Sequence, residues 1–121
     1  MAVFRINDRV FDCPLQLTAD LIRGKWKIMI LIFLRRGGKR YSELSQFLPK
    51  ATHKMLSEQL RQLEDDGLIR REVHPTVPPR VYYSLTPDGE DLMPILSKMA
   101  DWGMKYYTED SSNISSAGAE D

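Results

Sequence analysis

The thiol of Cys13 is the side chain with the strongest claim to covalent chemistry in this sequence, which contains one cysteine. Cys13 precedes Pro14, a pair that predicts a helix N-terminus, where the helix dipole favours the thiolate. The neighbouring carboxylate of Asp12 opposes that effect. Cys13 is therefore either a sensor of oxidants and electrophiles or an inert structural cysteine. Its oxidation could give a sulfenic acid, a mixed disulfide with a small thiol, or a bridge between two copies.

Other chemistry-bearing side chains do not group in the patterns of catalytic or metal sites. His53 and His74 have no further ligand at a suitable spacing, so we expect two surface histidines and no metal site. No Ser/His/Asp set, glycine-rich phosphate loop or pair of carboxylates in a plausible cleft is recognisable. The sequence therefore predicts a protein that is not an enzyme and needs no cofactor.

Basic residues are concentrated in the middle of the chain. The formal net charge of the whole chain is zero, but residues 1 to 107 carry +4. Between Arg23 and Arg80, thirteen basic residues face six acidic ones, a net charge of +7. Such a footprint is typical of a nucleic-acid partner, although an unevenly charged solvated surface has the same composition. The order of the elements has to decide between these two interpretations.

Size and composition indicate one globular domain. The chain has 121 residues, of which 42% are hydrophobic and 28% charged. The longest apolar run, residues 28 to 34, is far shorter than the roughly 20 residues of a membrane span. The N-terminus also lacks the apolar segment of a signal peptide. We therefore expect a cytoplasmic protein without membrane contact.

Two helices are predicted before the first glycine pair. The first spans residues 13 to 23. Residues 25 to 36 could form a buried strand because of their β-branched isoleucines, but their length favours a buried helix. Two arginines in the last turn, followed by glycines, also favour a helix end. Trp26 is expected in the core.

The next segment predicts two helices joined by a tight turn. A short amphipathic helix is predicted over residues 40 to 48 and a turn over 49 to 51. Thr52 can then N-cap a longer helix over residues 52 to 66. The core face of that helix is predicted from its leucines at helical spacing, namely Leu56, Leu60 and Leu63.

A hairpin and a long helix complete the pattern. Residues 68 to 74 and 80 to 85 are strand-like, and three prolines stiffen the tip between them. Thr86 then starts a helix that is predicted to run to about residue 107 and that Pro94 must kink or split. The apolar residues of this helix cover more than one core-facing stripe, which indicates a second helix packed against it.

This order of elements predicts a mainly α fold with a two-stranded β-hairpin, the winged helix-turn-helix. The domain would span residues 1 to 107, and residues 108 to 121 would form a flexible acidic tail. The second helix of such a motif has the right width for the DNA major groove, while the hairpin, or wing, reaches a neighbouring groove or backbone. DNA binding is the leading hypothesis, and a winged helix that serves as a protein-interaction module is the alternative.

Seven segments follow one another in the order that is typical of one family: Cys13-Pro14, GKWK at 24 to 27, RYSEL at 40 to 44, KMLS at 54 to 57, LRQLEDDGL at 60 to 68, PPRVYYSLTP at 78 to 87 and ADWG at 100 to 103. On these segments the chain resembles the HxlR-type, MarR-like bacterial transcriptional regulators over roughly residues 13 to 107. The resemblance implies a homodimer joined by its N- and C-terminal helices and a palindromic operator, with repression the commoner outcome.

The same resemblance bears on Cys13. Several members of the family sense oxidants or electrophiles through the cysteine of this Cys-Pro pair, which implies a similar role here. Two departures are present: Arg23 stands where the family often has a second glycine, and a second cysteine is absent.

Candidate contact residues follow from how proteins read DNA, by base edges for sequence and by phosphates for position. Lys54 suits guanine and Glu58 suits cytosine, although either could be an ordinary solvated side chain. The base-reading candidates are Thr52, His53, Lys54, Ser57 and Glu58. The phosphate and wing candidates are Lys39, Arg40, Lys50, Arg61 and Arg80.

The last helix supplies the candidates for a homodimer interface. They are Leu92, Leu96, Met99, Trp102 and Tyr106. These residues could instead belong to the core, and a small aromatic effector could bind between them. The expected partners are double-stranded DNA, a second copy of the chain, and a small-molecule effector or thiol-reactive compound.

Overall fold

An antiparallel hairpin of β1 (Phe4–Ile6) and β2 (Arg9–Phe11) is the first element of this computed structural model, which describes residues 3 to 109. Asn7 in its turn has a φ of 53°, a conformation that asparagine adopts more readily than most residues. This hairpin was not predicted, because its strands have three residues each and its Asn7-Asp8 turn lacks the glycine of the usual hairpin loops. The predicted acidic tail lies outside the described residues from position 110 onward.

The two predicted N-terminal helices are confirmed as α1 (Pro14–Leu21) and α2 (Lys27–Phe33). A 3-10 turn over Leu34–Arg36 extends α2. Gly37 follows this turn with a φ of 131°, in the region that glycine adopts freely. The segment is therefore a helix and not the alternative strand, and Trp26 at its start is buried in the core as expected.

The helix-turn-helix is confirmed as α3 (Tyr41–Phe47) and α4 (His53–Asp65). The side chain of Thr52 caps α4, because its hydroxyl accepts a hydrogen bond from the main-chain N–H of Met55 at 3.1 Å. Gly67 follows the end of α4 with a φ of 77°. Both ends of α4 thus lie where the local capping signals predicted them.

The wing consists of β4 (Ile69–His74) and β5 (Arg80–Leu85), as predicted, but the sheet has a third strand. This strand, β3 (Lys39–Arg40), pairs antiparallel with β5, so the strand order is β3-β5-β4. The prediction of a two-stranded sheet was therefore incomplete. Two residues are too few to show the alternation by which a strand is recognised in a sequence.

The last helix, α5 (Pro87–Gly103), continues through Pro94 without being split and ends earlier than predicted. A 3-10 turn over Met104–Tyr106 follows it. Its start is capped by Thr86, whose hydroxyl accepts from the N–H of Gly89 at 3.1 Å. Pro94 lies on an exposed part of the helix, where water can bond the carbonyl that a proline leaves unpaired.

The core lies between the helices and one face of the sheet. It contains the predicted leucines of α4 together with side chains from α2, β4, β5 and α5. Among them, Leu92 and Leu96 of α5 are buried within the single chain. Both were predicted at a dimer interface, but the hydrophobic effect already buries them against the core of the single chain. Within the described range, none of the helices has the length and hydropathy that a membrane span requires.

Candidate nucleic-acid interface

Helix α4 presents its predicted base-reading residues on the side away from the core. Leu56, Leu60 and Leu63 are fully buried on the inner side. The outer side carries exposed Thr52, His53, Lys54, Glu58 and Arg61, whereas Ser57 is half-buried on the flank. No ion pair joins Glu58 to Arg61 in the described part of the chain, so both charges remain open to a partner.

A hydrogen bond connects the two helices of the helix-turn-helix at the start of α4. The hydroxyl of Tyr41, the first residue of α3, lies 2.6 Å from Nδ1 of His53. The two rings also make an edge-to-face contact, with centroids 5.3 Å apart. The His53 ring is thereby held in place, and its Nε2 points to no other partner among the described residues. This contact between neighbouring helices was not predicted.

The phosphate candidates Arg40 and Arg80 lie at one cleft. This cleft, of about 460 Å³, is lined by the start of α3 and the tip of the wing, and its lining also includes Tyr41, Pro78 and Pro79. The pairing of β3 with β5 creates it, since it fixes Arg40 opposite Tyr82. Tyr41 therefore connects the cleft to His53, so that the wing, α3 and the start of α4 form one continuous surface.

The remaining phosphate candidates surround this surface. Lys39 is half-buried, with its ammonium 5.2 Å from the centre of the Phe33 ring, a cation–π contact. Lys50 is exposed in the turn between α3 and α4. The main-chain N–H of Arg40 donates to the Glu43 carboxylate at 2.8 Å, which fixes the start of α3.

Cys13 lies outside this surface, at the junction of β2 and α1. It occupies the N-cap position of α1, as predicted, and its side chain is half-buried. Its carbonyl accepts hydrogen bonds from the N–H groups of Gln16 and Leu17 at 3.1 and 3.2 Å, whereas its thiol makes no capping bond. The sulfur therefore takes no part in capping α1.

The end of α5 exposes a set of large apolar side chains. Met99, Trp102 and Tyr106, three of the predicted interface residues, are exposed, Trp102 by 61%. The ammonium of Lys105 lies 4.2 Å from the Trp102 ring centre. Further exposed members of this apolar surface are Ile95, Met104 and Tyr107. Exposed apolar surface of this extent is typical of a protein–protein contact.

His53 and His74, by contrast, lie on different elements, α4 and β4. Among residues 3 to 109, no group of three potential metal ligands is close enough to bind an ion.

Comparison with known proteins agrees with the helix-turn-helix and wing described above. Residues 21 to 111 match the family described as HxlR-like helix-turn-helix. The HTH-type transcriptional regulator YdeP of Bacillus subtilis is 49% identical over 100 residues, which are 83% of this chain and 78% of YdeP. An HTH-type transcriptional regulator of Methanothermobacter thermautotrophicus is 44% identical over 101 residues, 84% of this chain and 77% of the relative.

Solved structures show the same architecture. The redox regulator HypR in its oxidised form has a TM-score of 0.74 and 44% identity, over 79% of this chain and 99% of HypR. The reduced form of the transcriptional regulator YodB of B. subtilis has a TM-score of 0.71 and 31% identity, over 81% of this chain and 97% of YodB. The chain therefore belongs to the HxlR-like helix-turn-helix family of transcriptional regulators.

Proposed function

We propose that this protein represses transcription by binding a specific DNA sequence, with α4 in the major groove and the wing on the adjacent backbone. The observation that carries the proposal is the continuous surface formed by the wing, α3 and the start of α4. An α-helix fits the major groove, whereas a wing tip with an arginine suits backbone or minor groove. Such a protein acts by occupying DNA in the cytoplasm, without catalysis and without a cofactor.

We assign the recognition of the DNA base sequence to the exposed residues at the start of α4. Lys54 donates to guanine O6 or N7, and Glu58 accepts from the amino group of cytosine. His53, oriented by Tyr41, offers Nε2 to a base edge. Thr52 and Ser57 contribute hydroxyl groups next to these side chains.

Affinity is assigned to the basic residues around that surface. Each phosphate that they neutralise releases condensed counterions, so log K falls with log salt by about 0.9 per contact. Arg40 and Arg80 meet backbone on either side of their cleft. The further phosphate contacts are Lys39, Lys50 and Arg61.

We infer that two copies associate through the apolar surface at the end of α5. Met99, Trp102 and Tyr106 are its centre, and a second copy would bury them. Two-fold symmetry then predicts a palindromic operator with half-sites about 34 Å apart. Sedimentation of the parent and of Trp102→Ser tests this step, with a dimer expected for the parent and a monomer for the variant.

Oxidation of Cys13 is proposed to regulate DNA binding. HypR is named a redox regulator, and YodB has been solved both reduced and after diamide treatment. In this chain the half-buried thiol lies next to β2 and α1, away from the DNA-binding surface. Thiol-reactive compounds are therefore expected to change DNA affinity of the parent protein but not of Cys13→Ser. Equal sensitivity of both proteins would exclude the sensor role.

Selection of genomic fragments by the reduced protein, with excess competitor DNA, tests the DNA-binding function. We expect a palindromic motif. Lys54→Ala should relax specificity at one position of each half-site by about 1–3 kcal/mol, whereas Arg61→Gln should weaken binding to all sequences alike. Lys98→Gln, at an exposed position of α5, is the matched control and should bind like the parent. If no motif emerges from reduced or oxidised protein, the interaction-module alternative replaces this proposal.

A further inference from the structure

A second groove lies apart from the DNA-binding surface, between the N-terminal hairpin, α1 and the start of α2. Its volume is about 770 Å³, within the range of small-molecule sites. The side chains used below come from β2, α1, the connection after α1, and α2, namely Arg9, Val10, Phe11, Asp20, Arg23 and Lys27. The groove includes neither Cys13 nor any of the DNA-contact candidates, and no function assigned so far accounts for it.

Positive charge predominates in this groove. Arg9, Arg23 and Lys27 line it, against the single carboxylate of Asp20. Both oxygens of that carboxylate are already engaged, one by Arg9 at 2.7 Å and the other by Arg23 at 2.8 Å. Arg9 also binds Asp66, just outside the groove, at 2.5 Å. The acids nearby therefore pair with arginines and not with the lysine.

Lys27 is the unusual member of this set. It is only 5% exposed, yet within residues 3 to 109 it makes neither a hydrogen bond nor an ion pair. Its burial lowers its pKa from the ordinary 10.5, and the more distant charges of Asp66 and Asp20 only oppose that effect. Its ammonium nevertheless reaches the solvent of the groove, because the polar side-chain atoms fully buried without a partner in the described part of the chain are Trp26 Nε1 and Gln59 Oε1. An anion placed beside this ammonium would form a charge-assisted hydrogen bond with it.

Two of the residues that line the groove are apolar. Val10 is half exposed, and Phe11 beside it is half-buried. An aromatic ring contributes a large apolar contact and stacks on other flat rings. We propose that the groove binds a small organic carboxylate, with its charge at Lys27 and Arg23 and its apolar body against Val10 and Phe11.

A contact network leads from this groove to α4. Asp66, the C-cap of α4, accepts from Arg9. Asn7 of the same hairpin donates to the carbonyl of Asp65 at 3.1 Å and to Asp66 at 3.2 Å. A carboxylate bound at Lys27 and Arg23 would compete with Asp20 for Arg23. Because Asp20 also pairs with Arg9, and Arg9 with Asp66, this change would act on the helix that is proposed to read DNA. This coupling rests on the proposed function, whereas ligand binding itself does not.

Titration of isotope-labelled full chain without DNA tests the binding step, so its failure is distinct from a failure of DNA binding. Benzoate is the probe, and we expect saturable shifts of the amides of residues 9 to 11 and 23 to 27. Benzamide has the same shape without charge, and inorganic phosphate is an anion without an apolar body. Each should bind at least about tenfold more weakly than benzoate, a difference of 1.4 kcal/mol or more.

Variants locate the site. Lys27→Met keeps the volume but removes the charge, and it should weaken benzoate binding by about tenfold. Arg23→Gln, at an exposed position, is the second variant in case Lys27→Met does not fold, and it should also weaken binding. Lys98→Met should bind like the parent. Absence of saturable shifts at about 20 mM benzoate, equal binding of benzamide or phosphate, or parent-like binding by both groove variants would overturn the proposal.

Discussion

Gly89, in the first turn of α5, packs against the main-chain carbonyl of Leu68 so closely that a Cβ on residue 89 would overlap the carbonyl oxygen. The same oxygen accepts a hydrogen bond from the N–H of Thr86 at 3.1 Å. The hydroxyl of Thr86 donates to the carbonyl of Gly67 at 2.6 Å. The start of α5 is thus fixed against the segment that follows α4.

Substitution of Gly89 by alanine is therefore expected to destabilise the protein. The obstructing atom belongs to the backbone and cannot move aside like a side chain, so we expect a loss of at least about 2 kcal/mol in urea unfolding. Gly103, at the other end of the same helix, is the matched control. It has open space around it, and Gly103→Ala should be neutral or stabilising by less than about 1 kcal/mol. Equal stability of both variants would contradict this packing.

The ion pairs of Arg9 should contribute more to stability than that of Arg23. Arg9 bridges Asp20 and Asp66, and the Asp66 side chain is only 7% exposed. Arg9→Met leaves this carboxylate short of a partner, so we expect the free energy of unfolding to fall by about 1–3 kcal/mol. Arg23 is largely exposed, and Arg23→Met should change it by less than about 1 kcal/mol. Thermal unfolding of both variants measures the difference, and the reverse ranking would show that the Arg9 bridge is weak.

The hydrogen bond from Tyr41 should matter more for DNA binding than for folding. Tyr41→Phe removes a bond between exposed groups, so the loss of stability should be at most about 1 kcal/mol. The His53 ring then loses its orientation, and the preference for the operator over competitor DNA should decrease. Lys98→Gln, at an exposed position of α5 outside this contact, is the control and should leave both quantities unchanged. Unaltered operator preference in Tyr41→Phe would remove His53 from the set of base-reading residues.

Burial of Lys27 predicts a specific pH dependence of stability. Its folded pKa lies below 10.5, so between that lowered value and 10.5 the unfolded chain binds more protons than the folded one. Stability should therefore rise with pH in this interval, relative to Lys27→Met, which cannot titrate there. The charged groups that face Lys27 are unchanged in that variant, namely Arg9, Arg23, Asp20 and Asp66.

Urea unfolding of parent and variant at pH 7 and at several values up to 10.5 measures this difference. Lys98→Met, from which an exposed lysine is removed, should follow the parent. Parallel curves for the parent and Lys27→Met would contradict the lowered pKa.

Several elements could be predicted because their signals are local. Thr52 caps α4 and Thr86 caps α5 through bonds to residues three positions ahead, which a sequence displays directly. The leucines of α4 recur at helical spacing and are all buried. The seven segments in their order also predicted the family correctly.

Contacts between distant residues were not predictable in the same way. Strand β3 exists because Lys39 and Arg40 pair with β5, more than forty residues later. The N-terminal hairpin is bound to α4 through Arg9 and Asp66, which no periodic pattern connects. Arg40 and Arg80 meet at one cleft because β3 pairs with β5.

In α5 and α2, too, the local pattern could be predicted from the sequence, whereas the burial of particular side chains could not. The apolar pattern of α5 already indicates more apolar surface than one core contact needs. The burial of Leu92 and Leu96 and the exposure of Trp102, however, follow from the packing of other elements against the helix. The tertiary structure also decided that Lys27 is buried at the start of α2. Helical spacing determines which residues share a face, whereas burial depends on the position of other elements around that face.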